Sequence, residues 1–214
     1  MLNLQSTLNK IILDKAIVII RVKDSEQVLR IVEAVHRGGL SSIEITMVTP
    51  NVLEHIRKVS LEMGDEINIG AGSVLSAAAA QMAIEAGARY IVSPVSKPEI
   101  IKAAHQYGAA VIPGAMTPAE ILNAHENEAD IVKVFPTNIL GIEYVRTILG
   151  PMPQLRLMPS GGVTIENATD WLKAGSCCLG IGSAVIDHIS LQKNDYKQIE
   201  KNARKLKERL DGKN

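Results

Sequence analysis

Aromatic residues are scarce in this sequence. They make up 3% of its 214 residues, and Phe135 is the only phenylalanine. This scarcity argues against the base-stacking platforms that bind single-stranded nucleic acid. An excess of charge is also lacking, because 23 lysines and arginines balance 23 aspartates and glutamates. The balance gives no support to a nucleic-acid partner or to an anionic membrane surface.

Cysteine and long apolar runs are equally rare. Cys177 and Cys178 are the only cysteines, and two adjacent cysteines form neither a disulfide framework nor a CxxC metal site. No apolar stretch approaches the roughly 20 residues that span a bilayer, and Met1–Lys10 does not resemble a signal peptide. We therefore expect a cytoplasmic protein without a membrane partner.

The sequence does have a regular alternation of short β-branched runs with segments of helical periodicity. The eight predicted strands are Ala16–Val22, Ser42–Met47, Ile67–Ala71, Arg89–Ser93, Ala109–Pro113, Asp130–Phe135, Gln154–Pro159 and Cys178–Gly182. Strands that alternate with helices pair in parallel through crossover connections. We therefore predict an α/β fold, a single (β/α)8 TIM-barrel domain over residues 1–214. An open doubly wound sheet is the alternative.

Several helices have predictable ends. Thr117-Pro118-Ala119-Glu120 matches a capping box with proline at the first helical position. A helix over Thr164–Ala174 is predicted to end at Gly175. The single domain is expected to begin with a helix at about residues 4–13 and to end with a charged helix at about residues 193–211.

Lys133 is the most informative residue. It interrupts the otherwise apolar run Asp130–Phe135, at the strand end where the active sites of such barrels lie. One interpretation is a lysine that extends from the strand end into solvent. The other is a desolvated amine that attacks a carbonyl carbon.

Two further charged residues stand in apolar strands. Glu44 lies in Ile43–Thr46, and Arg21 is the only charge in Ile17–Val22. A buried carboxylate needs a cation or hydrogen-bond donors, so Glu44 is either a structural ion-pair partner of Arg21 or Lys133, or a group that moves protons during catalysis.

Glycines follow the last two predicted strands. Ser160-Gly161-Gly162 precedes the predicted helix at Thr164, and Gly182-Ser183 follows the eighth strand. Loops at these two places often bind phosphate in barrels of this kind, although either could be only a tight turn. Gly70-Ala71-Gly72 is not a dinucleotide fingerprint, because no acidic residue stands at a strand end about 20 residues later. None of the five histidines ends a strand, so we expect no metal and no cofactor.

Taken together, these motifs resemble a known family. They are Ile43–Thr46, Gly70–Val74, Ser93-Pro94, Ile112–Gly114, Val132–Pro136, Pro159–Val163 and Gly182-Ser183. They resemble the 2-keto-3-deoxy-6-phosphogluconate (KDPG) and 4-hydroxy-2-oxoglutarate (KHG) aldolases, from about Lys15 to Ile186. The resemblance implies a homotrimeric barrel, a lysine at Lys133 that forms a Schiff base with pyruvate, and a glutamate at Glu44 that shuttles protons.

The resemblance also implies substrate contacts. The pyruvyl part is expected near Arg21, Thr46, Ser73, Pro94 and Phe135. The phosphate is expected at Ser160, Gly161, Gly162, Gly182 and Ser183. Some members of the family carry an arginine where this chain has Val48, so we expect Arg21 to bind the pyruvyl carboxylate instead, unless it only pairs with Glu44.

The expected function is therefore that of a class I aldolase, a lyase acting on small molecules. It would reversibly cleave KDPG to pyruvate and glyceraldehyde 3-phosphate, or hydroxyoxoglutarate to pyruvate and glyoxylate. The alternatives are a phosphate-binding barrel enzyme without covalent chemistry and a non-catalytic sugar-phosphate binding protein.

Overall fold

The computed structural model describes residues 4–212; residues 1–3 and 213–214 of the predicted domain lie outside that range. Within it the chain forms an α/β fold whose nine strands all pair in parallel. The strands are β1 (Ala16–Ile20), β2 (Ser42–Thr46), β3 (Asn68–Gly72), β4 (Tyr90–Val92), β5 (Ala110–Ile112), β6 (Gly114–Ala115), β7 (Val132–Val134), β8 (Leu157–Pro159) and β9 (Leu179–Ile181). All eight predicted strands are present, and β6 is additional because Pro113, which has no N–H to donate, interrupts the fifth.

The strands form two parallel sheets, in the orders β5-β4-β3-β2-β1-β9 and β6-β7-β8. Hydrogen bonds link the sheets at both edges. At one edge the N–H of Lys133 donates to the carbonyl of Pro113 at 2.8 Å. At the other, Ser160 and Gly180 form a parallel bridge, and the N–H of Cys177 donates to the carbonyl of Leu157 at 3.0 Å.

Ten α-helices lie in the described part of the chain. They are α1 (Leu4–Asp14), α2 (Val28–Arg37), α3 (Val52–Glu62), α4 (Ala77–Glu85), α5 (Pro98–Gln106), α6 (Pro118–Glu126), α7 (Ile142–Leu149), α8 (Ala168–Lys173), α9 (His188–Lys193) and α10 (Tyr196–Leu210). The capping box at Thr117 and Glu120 is formed. None of these helices is long and apolar enough to cross a membrane.

Two helices begin a few residues later than predicted. The helix expected from Thr164 begins at Ala168, because Thr164 and Asn167 hydrogen-bond each other's backbone N–H groups through their side chains and form a turn instead. The charged helix expected from about residue 193 begins at Tyr196. Asn194, in the left-handed conformation, ends α9, and Asp195 caps the new helix through the N–H of Gln198.

Alternate residues of the strands form two buried apolar layers. One layer packs the strands against the surrounding helices. The smaller layer lies among the strands, where it includes Ile17, Tyr90, Ile131 and Met158 together with Leu8 and Ile11 of α1.

Helix α1 lies at the amino-terminal ends of the strands. Its Asp14 carboxylate accepts hydrogen bonds from the N–H groups of Ser41 at 3.2 Å and Ser42 at 2.6 Å, where β2 begins. The side-chain amide of Asn68, the first residue of β3, donates to the Thr7 carbonyl at 3.2 Å. With that end covered, the carboxyl ends of the strands are left to form a site.

Candidate active site

Lys133 is the middle residue of β7 and is only 7% exposed. Its neighbours in register are Gly114 on β6 and Met158 on β8. The amine lies 5.1 Å from the centre of the Phe135 ring, within the range of a cation–π contact. The structure therefore does not support a lysine that extends freely into solvent.

Glu44 is even more enclosed, at 1% exposure. Its carboxylate lies over Gly72, where an added Cβ would be 1.6 Å from Oε1. Among residues 4–212, Oε2 has no hydrogen-bond partner and Glu44 forms no ion pair within 4.0 Å. Burial raises the pKa of Glu44, and the positive charges of Lys133 and Arg21 offset part of that effect. The structural ion pair considered from the sequence is thus not formed, and the carboxyl group is favourably tuned for taking up and releasing a proton.

A cavity of about 320 Å³ brings most of the predicted phosphate and pyruvyl residues together. Seven of the site residues predicted from the sequence line this cavity: Arg21, Phe135, Ser160, Gly161, Gly162, Gly182 and Ser183. Arg21, which follows β1 and is exposed, supplies a positive charge, and no carboxylate lines the cavity. Within the described range, the N–H groups of Gly162 and Ser183 donate to no backbone or side-chain acceptor, whereas Gly161 adjoins the parallel bridge between Ser160 and Gly180. Free N–H groups beside a guanidinium make a site that suits an anion.

The glycine turn after β8 is held by side chains on both sides. Gly161 and Gly162 adopt φ values of +96° and +76°, which residues with a Cβ rarely adopt. The Thr137 hydroxyl donates to the Gly161 carbonyl at 2.7 Å, and the Asn167 side-chain amide donates to the Gly162 carbonyl at 3.0 Å. Since α8 begins only at Ala168, the donors that remain for an anion are the N–H groups of the turn, and the expected contribution of a helix end is absent.

Within the described part of the chain, the lining of this cavity does not include Lys133 or Glu44, nor the other predicted pyruvyl residues Thr46, Ser73 and Pro94. Thr46 is buried, and its Oγ1 lies 3.3 Å from Oγ1 of Thr49. Ser73 is half-buried, directly follows β3 and has a φ of 58°. Pro94 and Phe135 line a second cavity, of about 420 Å³. Val48 is 67% exposed. The roles of these residues in binding the pyruvyl part of the substrate stay predictions.

Several residues at these cavities were not predicted. Ile19 and Gly180 line the first cavity; each lies two positions before a predicted residue, and the alternation of a strand indicates such neighbours. Met116 and Asn123 line the second cavity, but they follow β6, which was not predicted as a separate strand. Among residues 4–212, no three His, Cys, Asp or Glu side chains are grouped so as to hold a metal ion.

Known proteins share this fold and these motifs. A family model described as "KDPG and KHG aldolase" matches residues 8–202. The 2-dehydro-3-deoxy-phosphogluconate aldolase of Pseudomonas aeruginosa is 30% identical over 194 residues, which cover 90% of this chain and 87% of that protein. The 2-dehydro-3-deoxy-6-phosphogalactonate aldolase of Escherichia coli is 33% identical over 168 residues, with coverage of 78% and 82%.

A solved structure extends the likeness to three dimensions. The KDPG aldolase of Legionella pneumophila, determined with pyruvate captured at low pH as a covalent carbinolamine intermediate, superposes with a TM-score of 0.84. It is 25% identical, and the match covers 92% of this chain and 97% of that one. The family model spans most of the chain, and this chain belongs to the KDPG and KHG aldolase family.

Proposed function

We propose that this protein is a class I aldolase whose Lys133 amine forms a Schiff base with the ketone carbon of pyruvate. The observation that carries the proposal is that the Lys133 amine and the Glu44 carboxyl group are both buried. Among the described residues, the carboxyl group forms no ion pair and one of its oxygen atoms has no hydrogen-bond partner. A protein rarely buries either group without a function for it. The covalent carbinolamine captured in the related Legionella enzyme supports the same chemistry.

The proposed cleavage uses these two residues in sequence. The neutral Lys133 amine adds to the C2 ketone and gives a carbinolamine. A proton taken up from solvent allows the C2 hydroxyl group to leave as water, and a protonated imine remains. The Glu44 carboxylate takes the proton of the C4 hydroxyl group while the C3–C4 electron pair moves into the imine. An aldehyde leaves, and an enamine of pyruvate remains. Glu44 returns its proton to C3, and water then hydrolyses the imine, so that pyruvate and the amine are released.

The proposed substrate is KDPG, cleaved to pyruvate and glyceraldehyde 3-phosphate, with 4-hydroxy-2-oxoglutarate as a second substrate cleaved to pyruvate and glyoxylate. N–H groups of Gly162 and Ser183 that have no acceptor among the described residues support a phosphate in the 320 Å³ cavity. Arg21 is proposed to bind the pyruvyl carboxylate, because Val48 offers no charge at the position where some family members have arginine.

Two further proposals concern the architecture. We infer that the two sheets close into a (β/α)8 barrel in which β5 and β6 count as one strand, which the hydrogen bonds at both sheet edges support. We also infer a homotrimer. The exposed apolar side chains of Leu75, Met82 and Val95, on the neighbouring helices α4 and α5 or just before them, are suited to an interface. The mass of the assembly in solution tests the second inference.

Trapping with borohydride tests the proposed function. Reduction in the presence of pyruvate should add mass to the peptide that contains Lys133, and Lys133→Ala should abolish both the adduct and turnover. Lys173→Ala, which removes a lysine whose side chain is 75% exposed, is the matched control and should trap normally.

The proposal fails if Lys133→Ala still traps pyruvate in full yield, or if EDTA abolishes turnover. A phosphate-binding enzyme without covalent catalysis, or a binding protein, would give no adduct in the unmodified chain either.

A further inference from the structure

Tyr90 is a buried polar residue that the proposed mechanism does not use. It opens β4, has no exposed surface and belongs to the apolar layer among the strands. Its hydroxyl group has no hydrogen-bond partner among residues 4–212. A buried tyrosine hydroxyl normally finds a partner, because leaving it unpaired costs free energy.

The register of three strands aims Tyr90 at Glu44. Gly70 on β3 is paired with Glu44 on β2 and with Tyr90 on β4. A Cβ added to Gly70 would lie 2.2 Å from Cε2 and 2.4 Å from Cζ of the Tyr90 ring. The ring therefore crosses β3 at the position that glycine leaves open, in the direction of β2.

Glu44 uses the next open position on the same strand. Its carboxylate lies over Gly72, two residues beyond Gly70 and on the same face. At about 3.3 Å per residue, the two glycine positions are about 6.6 Å apart. The two side chains therefore lie next to each other on this face of the strand. Each of the two side chains also carries a buried oxygen without a partner, Tyr90 Oη and Glu44 Oε2.

We propose that Tyr90 is a positioning residue for Glu44: its hydroxyl group donates a hydrogen bond towards the carboxylate through one buried water molecule and so fixes the orientation in which Glu44 accepts the substrate proton. The proposal rests on the proposed role of Glu44 as the proton shuttle. A hydroxyl donor and a carboxylate acceptor complement each other, and two unpaired groups become one satisfied network.

The other titratable groups that face Tyr90 are poorer acceptors. Burial, together with the charges of Glu44, Asp14 and Cys178, holds the pKa of Tyr90 well above 10, so its hydroxyl group remains a donor. Asp14 already accepts two backbone N–H groups at the start of β2. The hydrogen bond with Cys177, together with burial, holds the pKa of Cys178 well above its ordinary value, so Cys178 stays a neutral thiol. Among these titratable groups, Glu44 is the acceptor that remains open; Oδ1 of Asn68, two residues before Gly70, is an uncharged acceptor that also has no partner among residues 4–212.

The test is Tyr90→Phe, which removes one oxygen atom and keeps the ring over Gly70. A donor to the Glu44 carboxylate favours its charged form, so losing that donor should raise the pKa of Glu44 further. The other charges that face Glu44, Lys133 and Arg21, are unchanged. We expect the acid limb of the kcat/KM profile to move to higher pH by about one unit, equivalent to about tenfold in activity on that limb. The KM for pyruvate should change little, because Tyr90 is not among the described residues that line the 320 Å³ cavity.

Tyr107→Phe is the matched control, because Tyr107 is 38% exposed and lies outside the site; its profile should match that of the unmodified chain. A double-mutant cycle supplies the second measurement. If Tyr90 acts through Glu44, Tyr90→Phe should slow the unmodified chain but should not slow Glu44→Gln any further.

An unshifted acid limb, or equal slowing in both backgrounds, would overturn the proposal and leave Tyr90 as a space-filling residue. Borohydride trapping separates this failure from failure of the proposed function. A normal adduct on Lys133 together with an unshifted limb rejects only the role of Tyr90.

Discussion

Glu44→Gln should slow the enzyme and at the same time stabilise its fold. The substitution keeps the shape of the side chain and removes its charge. The carboxylate is 1% exposed, and one of its oxygen atoms has no hydrogen-bond partner in the described chain. The burial that makes Glu44 useful for proton transfer is therefore also unfavourable for the folded state.

The size of the expected gain in stability follows from two opposing contributions. An unsatisfied buried polar group costs about 1–3 kcal/mol, and more when it is charged; Glu44→Gln removes only this extra cost of the charge, part of which Lys133 and Arg21 already offset. Because burial outweighs the two cations in setting the pKa of Glu44, a net gain of about 1 kcal/mol on neutralisation is a reasonable expectation. For a domain of this size, that gain raises Tm by about 2–4 °C. The loss of a positioned acid–base group should lower kcat by about 10²–10⁴-fold.

The pH dependence gives the sign of the effect. The folded pKa of Glu44 is raised above its ordinary value of 4.5, so the protonated form is the one that folding favours. Above the folded pKa, the free energy of unfolding is lowered in full by the cost of burying the charged carboxylate. That cost disappears as the pH falls from the folded pKa towards 4.5. The gain in Tm of Glu44→Gln should therefore be largest above the folded pKa of Glu44 and should vanish below the unfolded pKa.

Thermal unfolding at several pH values, together with steady-state rates, measures both effects. Glu126→Gln is the control, since Glu126 is exposed at the end of α6, and its Tm and rate should stay unchanged. A Glu44→Gln variant that is less stable and has a rate within about twofold of the unmodified chain would refute the reasoning. Glu44 would then be a structural residue, because a positioned proton shuttle should contribute far more than that factor.

Two other substitutions test separately the proposed sites for the carboxylate and for the phosphate of the substrate. Arg21→Leu should raise the KM for pyruvate by one to two orders of magnitude, since a charge-assisted pair contributes about 1.5–3 kcal/mol. The exposure of Arg21 favours the lower end of that range, the imine should still form at saturating pyruvate, and Lys23→Leu should have no effect; an unchanged KM would contradict the assignment. Gly162→Val places a side chain at a φ of +76° and within 2.9 Å of the Asn138 Cβ. It should impair cleavage of KDPG but spare hydroxyoxoglutarate, and equal activity on KDPG would exclude the phosphate site.

Local patterns were sufficient to predict most of the fold. Alternation of β-branched runs with helical periodicity placed every predicted strand, and the capping box at Thr117 was predicted from four residues. The errors arose where side chains or proline compete with regular hydrogen bonding. Pro113 interrupts a strand, and the reciprocal bonds of Thr164 and Asn167 delay α8. Such competition depends on which side chain reaches which backbone group, which periodicity does not report.

The site was predictable to the extent that strand ends converge. Parallel strands bring their carboxyl ends to one edge, and seven of the residues chosen on that basis line one cavity. The sequence did not indicate whether Glu44 would meet a cation in an ion pair. That outcome depends on distances between side chains of different strands, and neither Arg21 nor Lys133 comes within 4.0 Å of the carboxylate in residues 4–212.

The glycines of β3 show why the surroundings of Glu44 cannot be predicted from the sequence alone. Gly70 falls within the predicted strand Ile67–Ala71 and Gly72 just after it, and in the structure both lie in the buried strand β3. Their missing side chains leave the space that Tyr90 and Glu44 occupy from the neighbouring strands. Even a methyl group at Gly72 would take the place of a carboxylate oxygen. The requirement for glycine there comes from Glu44, 28 positions earlier in the chain, and it becomes visible only when the register of β2 and β3 is known.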